Sequence, residues 1–206
     1  MSSYLAIIVI LFHAGVSMRT FLCLPIDSPL RRAIAELSVQ LQQMVHTRAS
    51  WVRSENFHVT FRFLGEIDPM LTLKLEQLCR TITKQTASFD LSIDRLGAFP
   101  SPQRARVLWA GGEAPSEFTT LASAINKGLI QLGFPEERKK PVAHVTLARI
   151  KGRADQSIER AIRSLDDQLG WTLRVNKLVL MESHLTSHGA VYNPLFTLPL
   201  GDGDAV

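Results

Sequence analysis

The sequence lacks the cysteine content of a disulfide-rich protein. Only two of its 206 residues are cysteine, Cys23 and Cys79, and they lie far apart in the chain. This number and spacing provide neither a disulfide framework nor a recognisable set of metal ligands. The cysteines therefore favour a reducing compartment, and we expect a cytoplasmic protein.

Long apolar runs are also lacking. The run near the N-terminus, Tyr4–Phe12, is shorter than the ~20 residues that span a bilayer. The residues before it, Met1 to Ser3, contain no Lys or Arg of the kind that begins a secretory signal. A signal peptide is the less favoured alternative. We expect residues 1–17 to be an extension outside the fold, a body from about Met18 to residue 200, and a tail over 201–206, with no association with membranes.

The chain has neither a strong charge imbalance nor a low-complexity tract. Hydrophobic residues make up 46% of it and charged residues 20%, and the net charge is +4. This is the composition of a globular protein, long enough for one large domain or two closely packed lobes. The small positive excess favours an anionic partner without requiring one.

The predicted elements occur in the same order twice. A helix, a loop, a strand, a helix and two strands fill residues 18–112, and the same order fills 113–200, which indicates a degenerate internal duplication. Helices are predicted from Pro29, from Pro69, over Ser116–Leu132 and over Gln156–Leu169. Strands are predicted at Arg19–Leu24, Asn56–Gly65, Phe89–Asp94, Ala105–Ala110, Val142–Ile150, Thr172–Glu182 and Ala190–Leu198, with His46–Asn56 as a surface loop. Alternating strands mixed with helices predict an α+β fold with antiparallel sheets.

Each half carries the same short motif on an apolar strand. The letters H-V-T-F at 58–61 recur as H-V-T-L at 144–147. Because strand side chains alternate, one face of the first strand would carry His58, Thr60 and Arg62. The opposite face would be buried, and it would carry Phe57, Val59, Phe61 and Phe63.

Two histidines that face one reacting centre can complete an acid–base reaction. With an ordinary pKa near ~6.5, one imidazole can accept a proton from water while the other donates a proton to a leaving oxygen. A threonine two residues further on the same face can donate a hydrogen bond to a phosphoryl oxygen. The arrangement requires no metal. The pattern therefore favours acid–base chemistry on a phosphodiester.

A third H-x-T sequence, at 184–186, differs from these two. It is followed by the turn-like residues 187–189 and not by an apolar strand. We expect His184 to be a surface histidine beside a turn, and we do not expect it to form a metal site with His188.

The paired motifs resemble those of the 2H phosphoesterase superfamily and, within it, the RNA 2′,3′-cyclic phosphodiesterases, also called 2′-5′ RNA ligases. The resemblance extends from about Met18 to Leu200. Segments that fit it are Arg19-Thr20-Phe21, Phe63-Leu64-Gly65, Arg106-Val107-Leu108-Trp109, Ala148-Arg149, Glu182-Ser183 and Gly189-Ala190-Val191-Tyr192.

This resemblance implies two lobes related by a pseudo-two-fold axis, with sheets that line a central groove and helices on the outside. It implies metal-independent hydrolysis of 2′,3′-cyclic phosphate ends of RNA to 2′-phosphates, and a reversible 2′-5′ ligation in addition. His58 would be the proton donor and His144 the proton acceptor, while Thr60 and Thr146 would bind the phosphate. We expect no cofactor, and a monomer whose partner is the RNA end.

Several alternatives remain open at this stage. Strand alternation points Arg149 away from His144, whereas a bulge after Leu147 would turn it towards the phosphate. Arg62 would meet the RNA backbone. Phe21, Trp51 and Tyr192 are candidates for base stacking, although Phe21 is more typical of a core residue. The substrate could instead be a small cyclic nucleotide or a 2′-5′ oligonucleotide, or the protein could be a non-catalytic RNA-binding module.

Overall fold

The computed structural model describes residues 17–138, 141–187 and 189–201, which form ten strands and four α-helices. The helices are α1 (Ser28–Met44), α2 (Thr72–Lys84), α3 (Ser116–Gln131) and α4 (Gln156–Leu165). The strands are β1 (Met18–Pro25), β2 (Ala49–Trp51), β3 (His58–Ile67), β4 (Phe89–Ile93), β5 (Arg95–Phe99), β6 (Val107–Gly111), β7 (His144–Ile150), β8 (Trp171–Val175), β9 (Lys177–Thr186) and β10 (Gly189–Pro199).

The principal sheet brings the two halves of the chain together. Its strand order is β10-β9-β1-β3-β7-β6-β5, with β2 paired to the far end of β7, and the pairs described are antiparallel. The two motif strands, β3 and β7, are neighbours at its centre. The predicted α+β class with antiparallel sheets is therefore confirmed.

The helices close one face of this sheet. On α1 an apolar stripe is buried, including Leu30, Ile34 and Leu41, and it joins the main core with Val59 of β3 and Val145 of β7. The Asp27 carboxylate caps this helix by accepting a hydrogen bond from the Leu30 amide at 2.9 Å. The opposite face of the sheet is left open at its centre, and the polar residues of both motifs lie there.

Several strand boundaries differ from the sequence prediction. The predicted loop over 46–56 contains β2, because its backbone pairs with β7 beyond the point where β3 leaves that strand. The predicted strand over 172–182 is two strands, β8 and β9, which belong to different sheets. Strand β4 pairs with β8 in the small second sheet, whereas β6 pairs with β5 in the principal sheet. Gly65 does not end β3, which continues to Ile67 with Gly65 at a φ of 77°.

The ends of the chain are described only in part. Residues 1–16 of the predicted extension and residues 202–206 of the predicted tail lie outside the described residues. Gly201 is held to the end of α2, since its amide donates to the Thr83 carbonyl at 2.9 Å. No helix in the described segments is both long and apolar enough to cross a membrane.

Candidate active site

The two motifs meet at one pair of valines. Val59 of β3 lies opposite Val145 of β7, and both side chains are fully buried. Each valine stands between the histidine and the threonine of its own motif. Since side chains alternate along a strand, both His-Thr pairs must then point to the other face of the sheet, into the open groove.

A bulge interrupts β3 directly after its motif. Cys23 of β1 pairs with Thr60, but the next β1 residue, Leu22, pairs with Arg62, so one residue of β3 is skipped. Residues opposite each other in an antiparallel pair share a face, and Arg62 is therefore on the face opposite Thr60. The prediction that Arg62 lies beside His58 is wrong. Its guanidinium instead forms a salt bridge at 2.9 Å with Glu137.

The same bulge brings Phe63 to the groove. Phe63 pairs with Phe21, which shares its face with Cys23 and hence with Thr60. The sequence pattern predicts a buried Phe63, but the side chain is 59% exposed and lines the groove. The simple alternation fails here because the extra residue shifts Phe63 to the other face, and a second irregularity at Leu64 then shifts the alternation back.

Strand β7 has a bulge at the equivalent place. Trp109 of β6 pairs with Thr146, and the preceding β6 residue, Leu108, pairs with Ala148, so Leu147 is skipped. Leu147 and Ala148 are consequently both buried. Arg149 then returns to the face of Thr146 and lines the groove. Of the two alternatives left open by the sequence, the structure has the bulge.

The two imidazole rings are held in the same way. In each, Nδ1 lies against the backbone carbonyl two residues earlier, at 2.7 Å for His58 and Asn56 and at 2.8 Å for His144 and Val142. A carbonyl oxygen only accepts, so Nδ1 carries the proton and Nε2 of the neutral ring keeps its lone pair. The Thr60 hydroxyl donates to Nε2 of His58 at 2.9 Å. Both rings thus present the nitrogen that can exchange a proton.

Aromatic side chains fix both rings from the side. The His58 ring lies 4.8 Å from the Phe21 ring and meets the Tyr192 ring edge-on at 5.4 Å. The His144 ring meets the Phe99 ring edge-on at 5.1 Å, and Phe99 in turn stacks on Trp109 at 5.1 Å. This packing excludes water from the flanks of the imidazoles and restricts their rotation.

Burial controls the charge of both histidines. Loss of hydration lowers the pKa of His58 and of His144 below the ordinary value of 6.5, although the bonds to the Asn56 and Val142 carbonyls oppose this shift. The positive charge of Arg149 lowers the pKa of both rings further, and a charge on His144 lowers that of His58. In the free protein at neutral pH, both imidazoles are therefore mainly neutral.

A cavity of about 450 Å³ occupies the groove. Its walls include His58, Thr60, Thr146 and Arg149, which brings four of the five predicted site residues together. His144 shares the face of Thr146 two residues earlier on β7. Of the aromatic candidates, Tyr192 and Phe21 both line the cavity, although Phe21 is only 3% exposed, and Trp51 is partly buried against the core.

Some groove residues were not predicted as site residues, although Arg19 and Ser183 lie in segments that fit the family resemblance. Arg19, Ser183 and Leu185 line the cavity, but they carry no motif, and only the pairing of β1, β9 and β10 brings them there. His184 is half-exposed and lies 3.0 Å from a Glu182 carboxylate oxygen. It faces away from Tyr192, because Tyr192 pairs with the neighbouring Ser183.

The chain also matches known proteins over most of its length. A family described as LigT-like phosphoesterases matches residues 24–109 and 112–192. The chain is 31% identical over 169 residues to an RNA 2′,3′-cyclic phosphodiesterase of Aeropyrum pernix, covering 81% of this chain and 90% of that protein. It is 29% identical over 181 residues to the Methanothermobacter thermautotrophicus protein of the same name, covering 87% and 97%.

Solved structures have the same fold. A crystal structure of a Thermus thermophilus protein gives a TM-score of 0.76 at 25% identity, covering 91% of this chain and all of that one. The complex of Escherichia coli LigT with 3′-AMP gives a TM-score of 0.70 at 22% identity, with coverage of 90% and 99%. The fold and the paired motifs are those of a phosphoesterase. The chain belongs to the LigT-like phosphoesterase family of the 2H superfamily, and its general activity is the hydrolysis of phosphodiesters.

Proposed function

We propose that this phosphoesterase hydrolyses the 2′,3′-cyclic phosphate at RNA ends to a 2′-phosphate, with His58 and His144 as the acid–base pair. The observation that carries the proposal is the matched orientation of the two imidazoles. Each has its Nδ1 bound to a backbone carbonyl, so that Nε2 is the nitrogen that can exchange a proton, and the two rings lie one on each of the two central strands. Relatives named RNA 2′,3′-cyclic phosphodiesterases supply the substrate class.

The reaction needs two proton transfers. A water oxygen attacks phosphorus, and its proton passes to Nε2 of neutral His144. The bond from phosphorus to the 3′ oxygen breaks, and that oxygen takes a proton from Nε2 of protonated His58. The products are a 2′-phosphomonoester and a 3′-hydroxyl. A positive charge on one histidine disfavours a positive charge on the other, so the pair binds one proton more readily than two. One protonated and one neutral histidine is the state that a proton donor and a proton acceptor require.

The remaining groove residues would bind the phosphate. The hydroxyls of Thr60 and Thr146 lie on the same face as the imidazoles and can donate to the non-bridging oxygens. Arg149 supplies a positive charge that stabilises the negative charge developing there. The phosphate in turn offsets the positive charge of Arg149, which favours protonation of one histidine once substrate is bound.

The test is turnover of a short RNA ending in 2′,3′-cyclic phosphate, with EDTA present throughout and the position of the product phosphate determined. We expect wild-type activity to survive EDTA, and His58→Ala and His144→Ala each to lose roughly 10²–10⁴-fold in kcat. His184→Ala is the matched control and should retain activity. Full activity of both groove variants, or loss of activity in EDTA, would contradict the proposal.

A second substrate separates donor from acceptor. If the 3′ oxygen is replaced by sulfur, the leaving group is a thiolate that departs without a proton donor. We expect this substrate to restore activity to His58→Ala and not to His144→Ala. Rescue of His144→Ala alone would reverse the two assignments, and rescue of neither would show that protonation of the leaving group is not what either residue supplies.

Ligation is the same chemistry with a different nucleophile. If a 5′-hydroxyl replaces water, its attack on the cyclic phosphate with loss of the 3′ oxygen yields a 2′-5′ linkage and uses the same two histidines. We propose that hydrolysis dominates because water is in great excess. An equimolar mixture of cyclic-phosphate and 5′-hydroxyl RNA should therefore give a 2′-5′ product only as a minor species. Preference for mononucleotides or 2′-5′ oligomers in the same assay would favour the alternative substrates.

A further inference from the structure

A second cleft lies at the end of the sheet, away from the histidines. It has a volume of about 490 Å³, and its walls include the side chains of Arg104, Arg106 and Arg153. All three arginines are exposed. Three like charges around one concave surface repel each other, and a bound anion would relieve that repulsion.

These arginines differ from those of the protein that form salt bridges. Arg62, Arg163 and Arg174 each form a salt bridge with a carboxylate. Within the segments that the structure describes, no such salt bridge involves the three arginines of the cleft. Their guanidinium groups are therefore available to a ligand. A guanidinium group is planar with several donors, and phosphate is a ligand that it binds well.

The cleft lies close to the candidate active site along the chain, because β7 and the residues after it contribute to both. Arg149 of the groove is followed by Lys151 and then Arg153 of the cleft. Across the strand, the Ile150 amide donates to the Arg106 carbonyl at 3.0 Å, which places Arg106 beside the end of β7. Arg153 is four positions after Arg149, so their Cα atoms are at most ~14 Å apart. A chain molecule with its end in the groove can reach the cleft, whereas a mononucleotide confined to the groove cannot.

We propose that the Arg104–Arg106–Arg153 cleft binds backbone phosphates of the RNA upstream of its reacting end. This inference rests on the proposed function, and it specifies the substrate as an oligonucleotide whose body runs from the groove along the end of β7. The contact is to the phosphate backbone and so does not depend on sequence. The cleft adds affinity for longer RNA and leaves the chemistry in the groove unchanged.

The test compares two variants with the same change in net charge. The cleft variant combines Arg104→Gln, Arg106→Gln and Arg153→Gln. The control combines Arg32→Gln, Lys74→Gln and Lys127→Gln, which are exposed on α1, α2 and α3. Fluorescence anisotropy measures binding of a labelled 12-nucleotide RNA with a 2′-phosphate end at several salt concentrations. Turnover of a mononucleoside 2′,3′-cyclic phosphate is measured in parallel.

We expect the cleft variant to bind the 12-mer roughly tenfold or more weakly than the control at low salt. The plot of the logarithm of the binding constant against the logarithm of the salt concentration should become shallower by about 2 in the cleft variant. Each of the three lost contacts to a single-strand phosphate contributes about 0.7 to the size of this slope. Mononucleotide turnover should be equal in both. Equal binding of the 12-mer by the cleft variant and the control would show that the cleft does not bind RNA. An equal loss of mononucleotide turnover and RNA binding in the cleft variant would contradict a separate cleft site as well.

If wild type turned over no cyclic phosphate, the proposed function would fail. The binding comparison would still show whether the cleft binds RNA.

Discussion

Val59 of β3 and Val145 of β7 lie directly opposite each other, and neither exposes any surface to solvent. Since each valine separates the histidine and threonine of its motif, this one contact sets the spacing between the two imidazoles. Around it, the two halves repeat the same bulge, and they differ at the next groove position, where one half has Phe63 and the other has Arg149. The groove is therefore symmetric in its histidines and asymmetric in what flanks them.

Activity should depend on pH in a direction set by burial. The productive state has one histidine protonated and the other neutral, and both pKa values lie below 6.5. The profile of kcat/KM, which reports the free enzyme, should therefore have its maximum below pH 6.5 and fall as pH rises. Arg149→Gln removes a charge that lowers both pKa values, so its maximum should move to higher pH. The control is Lys127→Gln, and an unmoved maximum in Arg149→Gln would contradict the electrostatic role of Arg149.

Stability should also change with pH because of the same histidines. Their pKa values are lower in the folded protein than in the unfolded chain, so the unfolded chain binds more protons as pH falls. This contribution to stability is complete above about pH 6.5 and is lost as pH falls towards the folded pKa values. Urea unfolding at pH 8 and pH 5 measures it. The double variant His58→Gln, His144→Gln should lose less stability between the two pH values, and an equal loss would be evidence against buried neutral histidines.

The bulge in β3 predicts that two phenylalanines of this strand contribute very differently to the free energy of unfolding. Phe61 is 9% exposed and meets the Phe118 ring edge-on at 5.2 Å, whereas Phe63 is 59% exposed. Phe61→Ala should lower the free energy of unfolding by about 3–5 kcal/mol because it leaves a cavity. Phe63→Ala should change it by no more than about 0.5 kcal/mol. Urea unfolding of both variants decides this, and equal losses would mean that the strand alternates without the bulge.

Gly97 should support His144 indirectly, through Trp109. A Cβ at Gly97 would overlap Cζ2 of Trp109, so any larger residue must displace the indole. The indole stacks on Phe99, and both rings contact His144. Gly97→Ala should therefore lower kcat roughly tenfold or more, because a displacement of about 1 Å in a reacting group can lower the rate by about 10²-fold.

The steric cause can be isolated with a double-mutant cycle. In a Trp109→Leu background the indole is gone, and Gly97→Ala should have little further effect on kcat. If Gly97→Ala lowered kcat by the same factor in both backgrounds, its effect would come from the β5 backbone and not from the indole.

The sequence alone determined the features that depend on local pattern. The two H-V-T motifs and the helix that begins near Pro29 are readable because helix and strand periodicities link neighbouring residues to one face. Those patterns were sufficient to place His58 with Thr60 and His144 with Thr146 on polar faces. They also predicted the α+β class and the antiparallel sheets.

Only the tertiary structure decided what surrounds those motifs. Bulges in β3 and β7 depend on how neighbouring strands pair, and they moved Arg62 out of the groove while bringing Phe63 and Arg149 into it. The lowered pKa values of the histidines come from burial by residues distant in sequence, among them Tyr192 beside His58. Periodicity along one strand contains no information about its partner, so neither the register nor the electrostatics of the groove could be obtained from the sequence pattern.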